Sequence, residues 1–225
     1  MTKKKEYKKI LTCRVLLFNL DGILVDSQAN RERHWSEWAQ RHQLDVQEVL
    51  SSIHGQTTLN SIHKLAPTLP AEQEARYLND IQTLDTRDVV AMPGALKLLE
   101  QLSSEQWAVV TSDPPLLAKA RLRAAKLPQP RLLVSSLDVK QGKPYPEGYL
   151  KGAALMHADP EECLIIEDSL PGIEAATAAH IPAIAVGTTH SQTDFKDAEI
   201  WVSSLALLKV VDSTEDDEIA LAVSE

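Results

Sequence analysis

Asn19 and Asp21 stand two residues apart, just after the apolar run Val15-Leu16-Leu17-Phe18 and just ahead of Gly22. A short β-branched and aromatic run stopped by polar residues and a glycine predicts a buried strand that presents both side chains at its end. In an open α/β sheet, ligands bind in the crevice beyond the carboxyl ends of the strands, so chemistry is expected at this end. Two later runs finish in a similar way: Val109-Val110-Thr111 delivers the Ser112 hydroxyl, and Cys163-Leu164-Ile165-Ile166 delivers Glu167 and Asp168. Between them the loop Lys140-Gln141-Gly142-Lys143-Pro144-Tyr145-Pro146 offers two lysines.

Each feature also has a plainer reading. Ser112 suits a helix cap before Pro114, a role Asp113 fills equally well. A lysine before a proline in a glycine-containing loop is by itself a surface turn. The adjacent carboxylates Glu167 and Asp168 are more specific. Like charges held close at the end of a buried strand raise each other's pKa, and a cation relieves them. Hard oxygen donors suit Mg²⁺, which keeps several waters and takes one or two protein carboxylates. The other reading is a solvated pair at the N-terminus of the helix that Pro171-Gly172 opens.

The elements that position these residues follow from periodicity. Residues from about Ala29 to Asp88 carry helical spacing only: Trp35, Trp38, Ala39 and His42, then Val46 to Ile53, Leu59 to Leu65 and Ala71 to Leu84, broken at Pro67 and Pro70. This all-helical block follows the first strand directly and is expected to cover the crevice. Pro93 suits the first turn of a helix running to Leu102. Strands over Trp107–Thr111, Arg131–Ser135, Cys163–Ile166 and Ala183–Val186 then alternate with helices over Leu116–Ala125, Glu147–His157 and Gly172–His180. That order predicts a parallel sheet with helices on both faces. Ile200-Trp201-Val202 is expected as an edge strand and Leu205 to Leu208 as a short helix.

Composition sets outer bounds. The 225 residues, 44% of them hydrophobic, suffice for a full-sized core. A net charge of -9 argues against nucleic-acid and anionic-membrane partners. A small phosphorylated ligand stays open, because a local lysine and a metal ion outweigh distant, screened charge. Cys13 and Cys163 lie in strand-like runs and are expected as packed thiols, which fits a reducing cytoplasm. The start, with Lys3, Lys4, Lys5, Lys8 and Lys9, reads as a solvated basic arm, because the apolar run after it is interrupted by Arg14, Asn19 and Asp21. The acidic stretch Glu215, Asp216, Asp217 and Glu218 reads as part of a frayed tail.

The residues from Phe18 to Ser27 resemble the first motif of the haloacid dehalogenase (HAD) superfamily, F-D-x-D-G-T-L-x-D-S, with Asn19 in the place of the nucleophilic aspartate and Ile23 in that of a threonine. Lys143-Pro144-Tyr145-Pro146 after Gly142 is similar to its third motif, and Glu167-Asp168-Ser169 with Gly172 to its fourth. The resemblance implies a Rossmannoid α/β core, residues 1–28 and 89–225, and an inserted helical cap, residues 29–88. It implies a phosphatase of small phosphorylated sugars, with Asp21 as general acid and base and Lys143 neutralising phosphate and nucleophile. It also implies phosphate binding by Leu20, Asp21, Ser112 and Lys143, and Mg²⁺ held by Asn19, Asp21, Asp168 and Glu167. Gly55, Gln56, Thr57 and Thr58, after His54, fall where the cap's specificity loop lies. The related β-phosphoglucomutases carry an arginine in this loop and a histidine after the first motif; Thr58 and Arg31 stand there, which argues against a mutase. A monomer or small homo-oligomer acting on a phosphorylated metabolite is expected.

Asn19 bears directly on turnover, since a neutral amide with a delocalised lone pair is no nucleophile toward phosphorus. Three readings compete: an engineered variant of an ordinary phosphatase, a diverged protein that binds a phosphorylated metabolite without turning it over, and an enzyme in which Asp21 activates water directly.

Overall fold

The computed structural model describes residues 7–211 and 218–224. At its centre lies β2, Val15–Phe18, buried along its whole length. It pairs in parallel with β5, Trp107–Val110, on one side and β7, Cys163–Glu167, on the other. With β6 (Leu133–Val134), β8 (Ala183–Val186) and β9 (Ile200–Val202), these strands form a six-stranded parallel sheet ordered β6-β5-β2-β7-β8-β9. Successive side chains of a strand face opposite ways. Leu16 and Phe18 therefore join one apolar layer with Val109 and Ile166, while Val15 and Leu17 join the other with Ala108 and Ile165. Burial on both faces explains why these strands read as continuous apolar runs.

Between β3 (Val25–Asp26) and β4 (Val90–Ala91) the chain makes four helices: α1, Gln28–Arg41; α2, Val46–Ser52; α3, Thr58–Leu65; and α4, Ala71–Leu84. Strands β3 and β4 pair antiparallel, so the helical region leaves and rejoins the sheet through one two-stranded stem. It has its own apolar cluster, including Trp35, Trp38, Val49, Ile62 and Leu78. Asp45 and Thr57 cap α2 and α3 by accepting hydrogen bonds from the Glu48 and Asn60 amides. The helices α5 (Ala95–Leu99), α6 (Pro115–Ala124), α7 (Glu147–Leu155) and α8 (Leu170–Ala178) complete the alternating part of the chain.

The structure revises three expectations. The helix expected from Pro93 to Leu102 is only α5. Gly94 precedes it at φ +91°, and a Cβ at Gly94 would lie 2.5 Å from the Ala206 backbone. The start read as a basic arm gives way at Lys9 to a strand, β1 (Lys9–Cys13), which takes in the strand-like run of Cys13, and the chain's end holds another, β11 (Ile219–Val223). With β10, Leu208–Val211, they form a three-stranded antiparallel sheet ordered β1-β11-β10. The cause is non-local: Lys9 pairs with Val223 and Cys13 with Ile219, and β11 is entirely buried. Lys3, Lys4, Lys5, Glu215, Asp216 and Asp217 lie outside the described residues. Cys13 and Cys163 are both free and buried, and burial pushes their thiols up to about 12 and about 11. Among the described residues no helix is long and apolar enough to cross a membrane.

Candidate active site

The chain turns sharply after β2. The Asn19 amide donates to the Ile166 carbonyl, and the Leu24 and Val25 amides both donate to the Leu20 carbonyl. Gly22 is obligatory in this turn: its φ is +78°, and a Cβ would lie 2.1 Å from Asp168 Oδ2. Ile23 and Leu24 point the other way, into the apolar core with Leu20. The second departure from the motif is thus a core side chain rather than a site residue.

Asn19, Asp21, Ser112 and Asp168 line one chamber of about 50 Å³, together with Arg31, His54 and Gly55 from the helical region. Lys143 enters from beside it, with Nζ 3.0 Å from Asn19 Oδ1. The other end of the Asn19 amide is equally engaged, Nδ2 donating to Asp168 Oδ1 at 3.0 Å and to the Asp21 carbonyl at 3.0 Å. Glu167 is fully buried behind the chamber. One of its oxygens pairs with Lys143 and accepts from the Tyr149 hydroxyl at 3.2 Å, and the other accepts from the Asp168 and Ser169 amides. Burial, then the Glu167 charge, pushes the Asp168 carboxyl well above its ordinary range. The helix after this strand is capped by Ser169, which accepts from the Gly172 amide. The capping reading of Glu167 and Asp168 therefore does not hold.

Asp21 is held by a group that sequence reasoning missed. Arg121, on α6 and 1% exposed, donates from Nη1 to Asp21 Oδ2 at 2.8 Å and to Asp113 Oδ2 at 2.5 Å. Its Nη2 donates to Gln82 Oε1 of α4 at 2.8 Å, so one buried guanidinium joins the sheet edge to the helical region. Burial pushes the Asp21 carboxyl up, but the Arg121 charge, with Arg31, Asp113 and Ser27, outweighs it and holds Asp21 below the ordinary carboxylate range. Asp113 goes the other way: burial outweighs Arg121 and pushes it up to about 7. A signal for Arg121 was available, since it follows Leu117 and Ala118 by four and three residues and falls on the face they bury. A charge on an apolar helix face calls for a buried partner. Asp113 caps nothing, and neither does Ser112, whose hydroxyl donates to the Gly55 carbonyl at 3.2 Å.

The loop residues divide. Gly55, at φ +72°, closes the small chamber beside Ser169, whereas Gln56, Thr57 and Thr58 line an adjoining cleft of about 890 Å³. Lys143 and Tyr145 line the same cleft, and Ser112 borders both spaces. Thr58 Oγ1 donates to Asn79 Oδ1 at 2.8 Å. Leu20 is fully buried and contributes its backbone to the turn.

The parallel sheet, the inserted helices and the polar groups gathered at the strand ends define an α/β protein whose candidate site lies at the carboxyl ends of its central strands. The sequence profile of the haloacid dehalogenase-like hydrolases matches residues 13–180, and the chain belongs to that family. It is 37% identical over 214 residues to hexitol phosphatase A of Escherichia coli, covering 93% of this chain and 99% of that protein. It is 31% identical to glycerol-1-phosphate phosphohydrolase 1 of Saccharomyces cerevisiae, over 94% of this chain and 90% of that one. The β-phosphoglucomutase of Clostridium difficile shares the fold, with a TM-score of 0.72 at 22% identity over 88% and 93% of the two chains.

The family implies a divalent cation, and the donor set permits a test of fit. In the orientation described, Asp168 Oδ1 and the Asp21 carbonyl both accept from Asn19 Nδ2, and both Glu167 oxygens are occupied behind the site. Among the described residues no group of three or more His, Cys, Asp or Glu side chains is arranged to hold a metal. As arranged, these residues do not fit the ion.

Proposed function

We propose that this chain is a HAD-type phosphatase scaffold for small phosphorylated sugars or polyols, with turnover strongly reduced by Asn19. In this reading residues 29–88 form the cap over a core of residues 1–28 and 89–225. The observation that carries it is the convergence of Asn19, Asp21, Ser112 and Asp168 around one small chamber, with Lys143 reaching Asn19 from the much larger cleft beside it. Lys143 and Ser112 would hold the phosphoryl oxygens there, and Gln56, Thr57 and Thr58 would face the rest of the ligand. Relatives named for hexitol and glycerol phosphates support that ligand class.

Asn19 carries a neutral amide in place of a carboxylate, so it is a poor nucleophile toward phosphorus and has no carboxylate oxygen to form an acyl phosphate. A loss on the order of a thousandfold or more is expected where only the surrounding groups act on water. A second reading, binding of a phosphorylated metabolite without turnover, is favoured by the engagement of both ends of the Asn19 amide. Direct activation of water by Asp21 is less well supported. A carboxylate held below its ordinary range by Arg121 is a weak base.

The test is phosphate release from hexitol, glycerol and sugar phosphates with Mg²⁺, by the parent and by Asn19→Asp. Turnover by the variant alone supports the proposal. Absence of turnover in both, in an assay validated on a working relative, removes the phosphatase reading.

A further inference from the structure

We infer that the Asn19 amide nitrogen stands in for the divalent cation, closing the site to Mg²⁺, rather than Asn19 being a weak ligand to that ion. The inference rests on the family reading of the site but concerns cation binding alone. Nδ2 lies 3.0 Å from Asp168 Oδ1 and 3.0 Å from the Asp21 carbonyl, two of the oxygens the family pattern would turn toward the metal. An N–H₂ group with two donors aimed at two acceptors is saturated there.

The opposite end of the amide makes this orientation compulsory. Oδ1 accepts from the Lys143 ammonium at 3.0 Å, and Lys143 is buried. Turning the amide to offer its oxygen to a cation would bring Nδ2 against that ammonium, donor against donor. A carboxylate has an oxygen for each side, one for the lysine and one for the ion; an amide must choose. Here Lys143, paired with Glu167, faces the oxygen, and Asp168 faces the nitrogen. Buried polar groups left without partners are costly, so the choice that satisfies both neighbours is the one the site holds.

Two consequences distinguish a stand-in from a ligand. Asn19→Asp should bind a divalent ion far more tightly, because it restores both a charge and a free oxygen. Asn19→Ala, which removes a supposed ligand, should also bind more tightly than the parent, because Asp168 and the Asp21 carbonyl are released.

The experiment is titration of Mn²⁺ into the substrate-free protein, following the free ion by electron paramagnetic resonance, with Mg²⁺ competition. The parent, Asn19→Asp, Asn19→Ala and Asn19→Asp/Asp168→Asn are compared. The expected order is Asp tightest, on the order of a hundredfold or more over the parent, Ala next and the parent weakest, with the double variant losing the gain. Mn²⁺ binding by the parent within tenfold of Asn19→Asp overturns the inference, as does Asn19→Ala binding more weakly than the parent. The parent's titration needs no variant to fold: a micromolar Mn²⁺ site removed by Mg²⁺ refutes the inference by itself. No substrate enters the measurement, so its failure is separate from failure of the phosphatase reading.

Discussion

Replacing Asp113 with asparagine removes one titrating group from the cluster around Arg121 and leaves an oxygen able to accept from Nη1. Asp113 is buried, and its carboxyl is pushed up to about 7, against an ordinary value near 3.8. An acid whose folded pKa is raised stabilises the fold fully below the unfolded value, and that contribution disappears as pH rises through the folded value. The gap of about three pH units, at about 1.4 kcal/mol each, corresponds to on the order of 4 kcal/mol. More than half of this falls between pH 5 and pH 8. Asp21, held low by Arg121, contributes in the opposite sense, present above its unfolded value near 3.8 and lost below it, outside this window. Asp113→Asn should therefore gain on the order of 2–3 kcal/mol on the parent between pH 5 and pH 8, whatever its offset at pH 5. Urea unfolding of both proteins at pH 5, 6, 7 and 8, followed by circular dichroism, measures the difference. A gap between them that stays constant across that range would refute the assignment of a raised carboxyl to Asp113.

Arg121→Met leaves Asp21, Asp113 and Gln82 facing an apolar side chain, and a loss of about 3–5 kcal/mol in urea unfolding at pH 7 is expected for a buried charge network broken on one side. Ile23→Thr places a hydroxyl among Leu20, Leu24 and their neighbours and should cost about 1–3 kcal/mol. The same change should leave phosphate release by the Asn19→Asp variant below, not above, its starting level. Addition of EDTA should leave the parent's melting temperature unchanged and lower that of Asn19→Asp measured with Mg²⁺.

The Lys143 and Asn19 pair joins residues 124 positions apart, and Arg121 reaches Asp21 across 100. Periodicity and turn chemistry act over a few residues, so they placed Asn19, Ser112 and Asp168 at strand ends but carried nothing about which atoms would meet. The helices between Ala29 and Asp88 were legible because a 3.6-residue apolar spacing is local; the contact of Gln82 with Arg121 was not. The run that holds Cys13 was legible as a strand, but its place in a second sheet was not, because its partner, Ile219 to Val223, enters some two hundred residues later. Glu167 and Asp168 show the division most clearly. Two adjacent carboxylates at a strand end were plain in the sequence. Only the packed structure decided that Lys143 and two backbone amides would face Glu167 while the Asn19 amide faced Asp168. A residue's chemistry is written in its type. The state in which it acts is set by neighbours that the fold alone brings within 3 Å.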